Sequence, residues 1–129
     1  MRILHVNNIA AVPGVIAREQ RRRGHEVTVA GLNNPSSFKA DEEAGAGRIK
    51  YAFSNHEVIH LHSCSLAPFY LDAPLTRLLG KKVVYHHHGS DVRGRGYPLL
   101  SRLHSRHLVA TPDLLQWCPK AEWLPNPVD

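Results

Sequence analysis

The alternation of short apolar strands with helical segments is the feature that most constrains the fold of this chain. Residues 2–6 and 25–30 have strand character, and a helical segment opened by Pro13 separates them. Proline is favoured in the first turn of a helix, and Gly24 supplies the residue type that ends one. A strand, a helix and a strand in this order predict a parallel β-α-β unit.

The rest of the chain continues the same alternation. It predicts strands over 48–53, 57–62, 83–86, 107–110 and 122–124, with helices over 71–79, 99–104 and 111–118. The fold class is therefore α/β, a Rossmann-like three-layer α/β/α arrangement with a mostly parallel sheet. Ligands of such sheets bind beyond the carboxyl ends of the strands. The site is accordingly expected on three loops, 7–14, 62–65 and 87–95.

Composition places the chain among soluble globular domains. It has 129 residues, of which 43% are hydrophobic and 21% charged, and this is one domain's worth of sequence. No apolar run approaches the roughly 18 residues that a membrane span needs, and no signal peptide is recognisable. Cys64 and Cys118 stand in no metal or redox spacing, which favours a reducing cytoplasm.

Positive charge is concentrated in the second half of the chain. The net charge is +5, and the segment from Arg77 to His107 carries seven lysines and arginines against one aspartate. Such a segment suits phosphate groups, nucleic acid or an anionic membrane surface, and it also suits a plain solvated surface. No aromatic-rich RNA motif accompanies the charge, so nucleic acid is not expected as a partner.

The first strand-helix loop, residues 7–14, excludes two common nucleotide sites. It lacks the G-x-G-x-x-G pattern of dinucleotide-binding domains and the glycine-lysine pair of a Walker loop. What remains is a helix N-terminus whose free N–H groups could receive an anion, or a plain connecting turn.

Histidines cluster near the ends of two predicted strands. His60 and His62 alternate on one strand, and His86 and His88 do so on the next, so each pair shares a face of the sheet. Imidazole suits either a transition-metal site or polar recognition and proton handling. A metal site usually adds a carboxylate or cysteine at fixed spacing, so no metal is expected. The simplest expectation for His60 and His86 is a buried side chain with satisfied hydrogen bonds.

The segment His-Gly-Ser-Asp at 88–91 is the most specific of the three loops. Gly89 lets the backbone turn and a ligand approach closely. Ser90 and Asp91 can cap the following turn or accept a hydrogen bond from a ligand hydroxyl. An ordinary loop with a capping aspartate is the alternative.

Arg93 and Arg95 follow in the sequence Arg-Gly-Arg-Gly. Two arginines at this spacing on a glycine-containing loop could clamp a phosphate or shield a negative leaving group. They extend the candidate site beyond Asp91.

Several segments in order resemble the N-terminal domain of a GT-B-fold glycosyltransferase of family four, the retaining, nucleotide-sugar-dependent group. The matching segments are residues 1–6, 22–27, 58–63, 86–92, 109–114 and 123–129. Gly14 stands alone where that family often carries paired glycines, and Gln20 replaces a usual leucine.

The resemblance implies half of a two-domain enzyme. Residues 1–124 would form the acceptor-side domain, and residues 125–129 would begin the linker to an absent donor-binding domain. The partners implied are a sugar or lipid-linked acceptor and, through the missing domain, a nucleotide sugar. No permanent cofactor or metal is implied, and the chain alone is not expected to transfer sugar. Its place would be the cytoplasm, with peripheral contact to an anionic membrane surface.

The resemblance also assigns residue roles. His88 matches a histidine beside the transferred sugar and is the predicted catalytic residue. The predicted substrate-binding residues shape the loop facing the donor, line the cleft or follow His88; they are Asn8, Pro13, Gly14, His62, Ser63, Gly89, Ser90, Asp91, Arg93 and Arg95. Two alternatives from other classes are a stand-alone module binding a phosphorylated ligand and a histidine-rich metal-binding protein.

Overall fold

The computed structural model describes residues 1–33, 38–103 and 106–128. Its strands are β1 (Arg2–Val6), β2 (Glu26–Gly31), β3 (Glu42–Glu43), β4 (Val58–His62), β5 (Lys82–His87), β6 (Arg106–Val109) and β7 (Glu122–Trp123). Its α-helices are α1 (Val12–Arg22) and α2 (Asp72–Leu78). Four 3₁₀ helices complete the elements, at Gly45–Phe53, Pro68–Tyr70, Leu99–Leu103 and Pro112–Gln116.

All strands in the described residues join one parallel sheet in the order β3-β2-β1-β4-β5-β6-β7. The order reverses beside β1, which pairs with β2 on one side and β4 on the other. Such a reversal is where open α/β sheets leave a crevice at the strand ends. The predicted fold class, a Rossmann-like three-layer α/β/α arrangement, is confirmed.

Apolar side chains cover both faces of the sheet. On one face, Leu4, Ile59, Leu61 and Tyr85 are fully buried in the largest core cluster. On the other, Ala17 of α1 packs against the β1–β2 pair through residues such as Ile3, Val27 and Val29. Full burial of one such aliphatic side chain contributes roughly 1.5–3 kcal/mol, so both layers hold the central strands in place.

One predicted strand is wrong. Residues 48–53 lie within the 3₁₀ helix Gly45–Phe53. Both neighbours of β1 are already taken, so the segment has no central position in the sheet to occupy. It crosses a face instead, burying Tyr51 and Ala52, and the Tyr51 hydroxyl donates to Glu42 Oε1 over 2.5 Å.

The later helices are shorter than predicted. The segments at 99–104 and 111–118 form the 3₁₀ helices Leu99–Leu103 and Pro112–Gln116, and His104 lies outside the described residues. Pro74 does not interrupt its helix, because it lies in the first turn of α2, where a proline costs no hydrogen bond.

No regular structure follows β7 within the described residues. Residues 124–128 are extended or irregular, and Asp129 of the predicted linker lies outside the described residues. The division of the chain at residue 124 stays a prediction. Among the described helices, none combines the length and apolar character that crossing a bilayer requires.

Candidate functional site

Three strand ends converge at the carboxyl edge of the sheet, because β1, β4 and β5 run parallel side by side. Asn7 follows β1, Ser63 follows β4 and His88 follows β5. The Asn7 side-chain Nδ2 donates to the His62 carbonyl over 2.8 Å, which ties the first loop to the end of β4. The predicted location of the site on these loops thus brings polar side chains from three strands together.

Ser63 and Asp91 lock the ends of β4 and β5 to each other. The Ser63 hydroxyl donates to Asp91 Oδ1 over 3.0 Å and accepts from the His88 backbone N–H over 3.0 Å. The Gly89 N–H also donates to Asp91 Oδ1, over 3.2 Å. Ser63 has a φ of 50°, a left-handed conformation that is unfavourable for a residue with a Cβ. These hydrogen bonds hold it there.

A polar chain leads inward from Asp91 through two histidines. His87 Nδ1 lies 2.6 Å from Asp91 Oδ2, and His87 Nε2 lies 3.1 Å from His107 Nδ1. His107 Nε2 donates to the Ser101 carbonyl over 2.7 Å. Three hydrogen bonds need three protons on the two rings, one more than two neutral imidazoles carry. The chain is therefore satisfied when one imidazolium faces an ionised Asp91.

Burial and neighbouring groups together set the pKa values of Asp91 and His107 in this hydrogen-bonded chain. Burial raises the pKa of Asp91, but the charge and hydrogen bond of His87, together with those from Ser63 and Gly89, outweigh it and leave the pKa below its ordinary value. Burial, aided by the nearby His87, lowers the pKa of His107 to about 4. His107 is accordingly neutral at pH 7.

A second histidine group occupies the opposite face of β1, β4 and β5. Strand register places His5 beside His60 and His62 beside His86, and the group consists of His5, His60, His62, His86 and His88. Hydrogen bonds join His5 Nδ1 to His62 Nε2 and His62 Nδ1 to His88 Nε2, both at 3.0 Å. His5 Nε2 is 2.8 Å from Gln20 Oε1 on α1.

This group is dry and uncharged at neutral pH. Burial is the main cause that lowers the pKa of His5 and His88 to about 4 and that of His86 to about 3. The expectation of satisfied hydrogen bonds is wrong for His60 and His86. Both are buried, yet His60 Nε2 and both ring nitrogens of His86 have no hydrogen-bond partner.

The first loop does not offer the open anion site considered for it. The Gly14 N–H donates to the side-chain Oδ1 of Asn8 over 3.1 Å, and Asn8 Nδ2 donates to the Lys39 carbonyl over 2.7 Å. Pro13 has no N–H, and the Val15 N–H is bonded to the Ala11 carbonyl. Asn8 therefore closes the start of α1 as a connecting turn.

Arg93 and Arg95 do not form a joint clamp. Arg93 makes an ion pair with Asp113 at 2.9 Å. Arg95 lines a separate cavity of about 510 Å³ with Tyr97 and Trp117, among other residues. Ser90, also a predicted site residue, is exposed between them and the histidines.

The structure adds partners that motif reading missed. Gln20 and His5 complete one histidine chain, while Ser101 and His107 complete the other. The histidines were visible in predicted strands, and pairing β5 with β6 in register would have placed His107 beside Tyr85. Gln20 gave no signal beyond its unusual helix position.

Comparison with known proteins shows a similarity of fold to solved structures. No protein-family model and no curated protein matches the chain. The response regulator TrrA from Thermotoga maritima, in complex with Mg²⁺-BeF, is 14% identical and matches over 92% of this chain and 94% of that chain, with a TM-score of 0.50. A structure of the histidine kinase ThkA in complex with TrrA matches at 16% identity over 92% and 95%, with a TM-score of 0.49.

These comparisons contradict the resemblance to family-four glycosyltransferases. The matched TrrA chain is a response regulator, so the predicted glycosyl-transfer activity, nucleotide-sugar donor and enzyme class are wrong. The predicted sugar or lipid-linked acceptor is wrong as a partner for the same reason. A stand-alone module for a phosphorylated ligand and a histidine-rich metal-binding protein, as functions for the whole chain, do not fit these matches either.

Proposed function

We propose that this chain is a signalling domain of the response-regulator fold, which acts by binding a partner protein. The proposal is supported by the parallel sheet and its strand order, and by the match to TrrA over 92% of the chain. The observation that carries it is an apolar surface on this chain that the fold leaves exposed.

That surface lies where α2 packs against the 3₁₀ helix Leu99–Leu103. Leu78 is 84% exposed and Leu99 is 73% exposed. A groove of about 490 Å³ runs between Pro74, Arg77, Leu78 and Leu103. Exposed leucines gathered on adjoining helices, rather than scattered singly, are typical of a surface that another protein covers.

The chemistry of the groove indicates the kind of partner. Leucines and a proline supply the apolar part, while Arg77 lines the rim. An amphipathic helix fits such a groove by placing side chains of one face at i, i+3, i+4 and i+7 into it. Positive charge on the rim favours acidic residues flanking that apolar face.

The strand ends differ from a magnesium site. Mg²⁺ is held by oxygen ligands, usually carboxylates and water. Here Asn7 and Ser63 follow the first two central strands, and Asp91 already accepts three hydrogen bonds. The proposal therefore rests on partner binding and includes no Mg²⁺-dependent step.

The compartment is a further part of the proposal. Cys64 and Cys118 are free and buried, which suits a reducing cytoplasm. Fractionation of cells expressing the tagged protein would test it, and recovery from a secreted fraction would contradict it.

The binding proposal can be tested with a designed helical peptide that carries leucines at i, i+3, i+4 and i+7 and glutamates on both flanks. NMR titration of the labelled protein is expected to shift signals at Leu78, Leu99 and their neighbours. Replacing both leucines with serine is expected to weaken binding at least about tenfold. The matched control is Phe53→Ser, an exposed apolar side chain on another 3₁₀ helix.

Two outcomes would count against the proposal. One is the absence of binding at millimolar peptide. The other is equal binding of a peptide whose glutamates are replaced by lysines, because rim charge would then play no part.

A further inference from the structure

Three imidazoles converge where β4 and β5 end. His62 is the last residue of β4, His86 is its register partner in β5, and His88 follows β5 on the same face. One nitrogen from each ring lies within 4.8 Å of the other two. The sequence predicts no metal ion here, because no carboxylate or cysteine stands at a fixed spacing from these histidines.

The ring nitrogens of His86 lack hydrogen-bond partners. Its side chain is fully buried, yet neither ring nitrogen has a partner. An unsatisfied buried polar group costs roughly 1–3 kcal/mol, so a fold seldom keeps one without a reason. A bound ion that accepts the lone pair of one nitrogen would give that nitrogen a partner and remove its share of the cost.

The rings of His62 and His88 already direct one nitrogen each towards the other, and these nitrogens are the ligand atoms that an ion would need. His62 Nδ1 and His88 Nε2 are 3.0 Å apart and share a proton. Ligands of tetrahedral Zn²⁺ lie about 2.0–2.1 Å from the ion, which separates the ligand nitrogens by about 3.4 Å. Replacing the shared proton with an ion therefore requires these two nitrogens to separate by only a few tenths of an ångström.

Hydrogen bonds on the side away from the proposed ion fix the orientation of the His62 ring. When His62 Nδ1 binds an ion, its Nε2–H donates to His5 Nδ1, and the Nε2–H of His5 donates to Gln20 Oε1. Metal-binding histidines usually donate their second N–H to such an acceptor, which fixes the tautomer and raises the basicity of the ring. The chain to α1 supplies this arrangement before any ion binds.

Access from solvent favours this trio over the neighbouring one. His5, His60 and His62 also converge, but they share His62 and are all buried. His88 is only half-buried, which gives an ion a route in from solvent.

We propose that His62, His86 and His88 bind one divalent transition-metal ion of the Zn²⁺ class, with a fourth position open to water. Neutral imidazole nitrogens prefer Zn²⁺, Co²⁺, Ni²⁺ or Cu²⁺ to Mg²⁺ or Ca²⁺. The site is independent of the groove on α2 and of the proposed partner, so either inference can fail without the other.

The test uses the full chain without a histidine tag, freed of metal with a chelator and titrated with Co²⁺. The expected result is the intense visible absorption of a four-coordinate Co²⁺ ion, saturating at one ion per chain, with Zn²⁺ displacing it. Long-range ¹⁵N NMR of the rings should show the nitrogens of His62, His86 and His88 shifting on Zn²⁺ binding.

Variants make the assignment specific. His88→Ala should weaken Co²⁺ binding at least about tenfold, and His88 is the ligand whose partial exposure makes its replacement easiest to tolerate. His25→Ala is the matched control, since His25 lies outside the cluster, and its affinity should be unchanged. The ring ¹⁵N shifts of the unmodified chain test the site even if His88→Ala does not fold.

The proposal is overturned if the unmodified chain binds no Co²⁺ at one equivalent. It is also overturned if His88→Ala folds and binds as tightly as the original, or if the shifted nitrogens belong to other histidines.

Discussion

His87 Nδ1 lies 2.6 Å from Asp91 Oδ2, and this pair joins the last residue of β5 to the loop that follows it. The His87 side chain is fully buried and that of Asp91 is 9% exposed. This short contact engages one carboxylate oxygen of Asp91 in a buried place, and Ser63 and Gly89 donate hydrogen bonds to the other oxygen. The geometry of the whole carboxyl edge depends on this contact.

Replacing Asp91 with asparagine is expected to destabilise the domain by roughly 3 kcal/mol, because it leaves His87 without its charged partner in a buried place. Urea unfolding followed by circular dichroism measures the loss. Asp113→Asn is the control: that carboxylate pairs with Arg93 on the exposed surface and should matter little. Equal losses in the two variants would contradict the importance given to the buried pair.

Ser63 provides a test of backbone strain. Ser63→Ala and Ser63→Gly both remove the hydroxyl, but only glycine adopts the φ of 50° without a steric penalty. The glycine variant should be the more stable by roughly 0.5–1 kcal/mol, although both lose stability relative to the original. Thermal unfolding of the two variants side by side gives the difference. An alanine variant at least as stable as the glycine variant would show that the left-handed conformation carries no cost.

Acid should weaken the fold through His107. Its pKa is lowered from 6.5 to about 4, chiefly by burial and then by the charge of His87, so the unfolded chain takes up this proton first. The contribution is therefore intact above pH 6.5 and is lost progressively as the pH falls towards 4. In His107→Gln the slope of unfolding free energy against pH should be shallower in this window. Parallel slopes for the two proteins would place the titration elsewhere.

Mg²⁺ with beryllofluoride should leave the carboxyl edge unchanged. The ion needs oxygen ligands, and Asp91 is already engaged by His87, Ser63 and Gly89. A titration followed by amide NMR should show no saturable shifts at Asn7, Ser63 or Asp91. Saturable shifts at these residues would contradict the prediction and would mean that the edge rearranges to bind the ion.

Both thiols should be inert in the folded protein. Burial is the main cause that raises the pKa of Cys64 to about 12 and that of Cys118 to about 11, so the reactive thiolate is scarce at neutral pH. Reaction with a disulfide reagent should follow the unfolding transition in urea. Rapid modification of either cysteine without denaturant would show that the thiol is reached by local opening.

The central strands could be predicted because each is a short apolar run that is buried on both faces. β1, β4 and β5 were placed within a residue or two of their observed limits for this reason. The strand predicted over 48–53 is wrong because the central positions of the sheet are already occupied, so this apolar segment packs across a face of the sheet instead. Periodicity over six residues does not distinguish those outcomes.

The polar side chains described above lie on the loops at the strand ends, where the sequence predicts the site, and their role as a site stays a prediction. Sequence neighbours suggested that Gly14 and Arg93 would face an anion, whereas Asn8 engages Gly14 and Asp113 engages Arg93. Those partners lie six and twenty residues away, beyond what motif spacing can show. The resemblance to glycosyltransferases was misleading for a related reason. Segments such as residues 22–27 reflect how a strand follows a helix, which is a property of the fold, and one fold hosts many functions.

Both outer strands of the sheet are only two residues long. β3 is Glu42–Glu43 and β7 is Glu122–Trp123, and Glu122 is further occupied by Arg106 of the adjoining strand. A second chain seeking to extend the sheet by backbone pairing would meet negative charge and too few unpaired amides. The domain should thus remain dispersed at high concentration and resist conversion into fibrils, even though its centre is built from parallel strands that would be aggregation-prone if exposed.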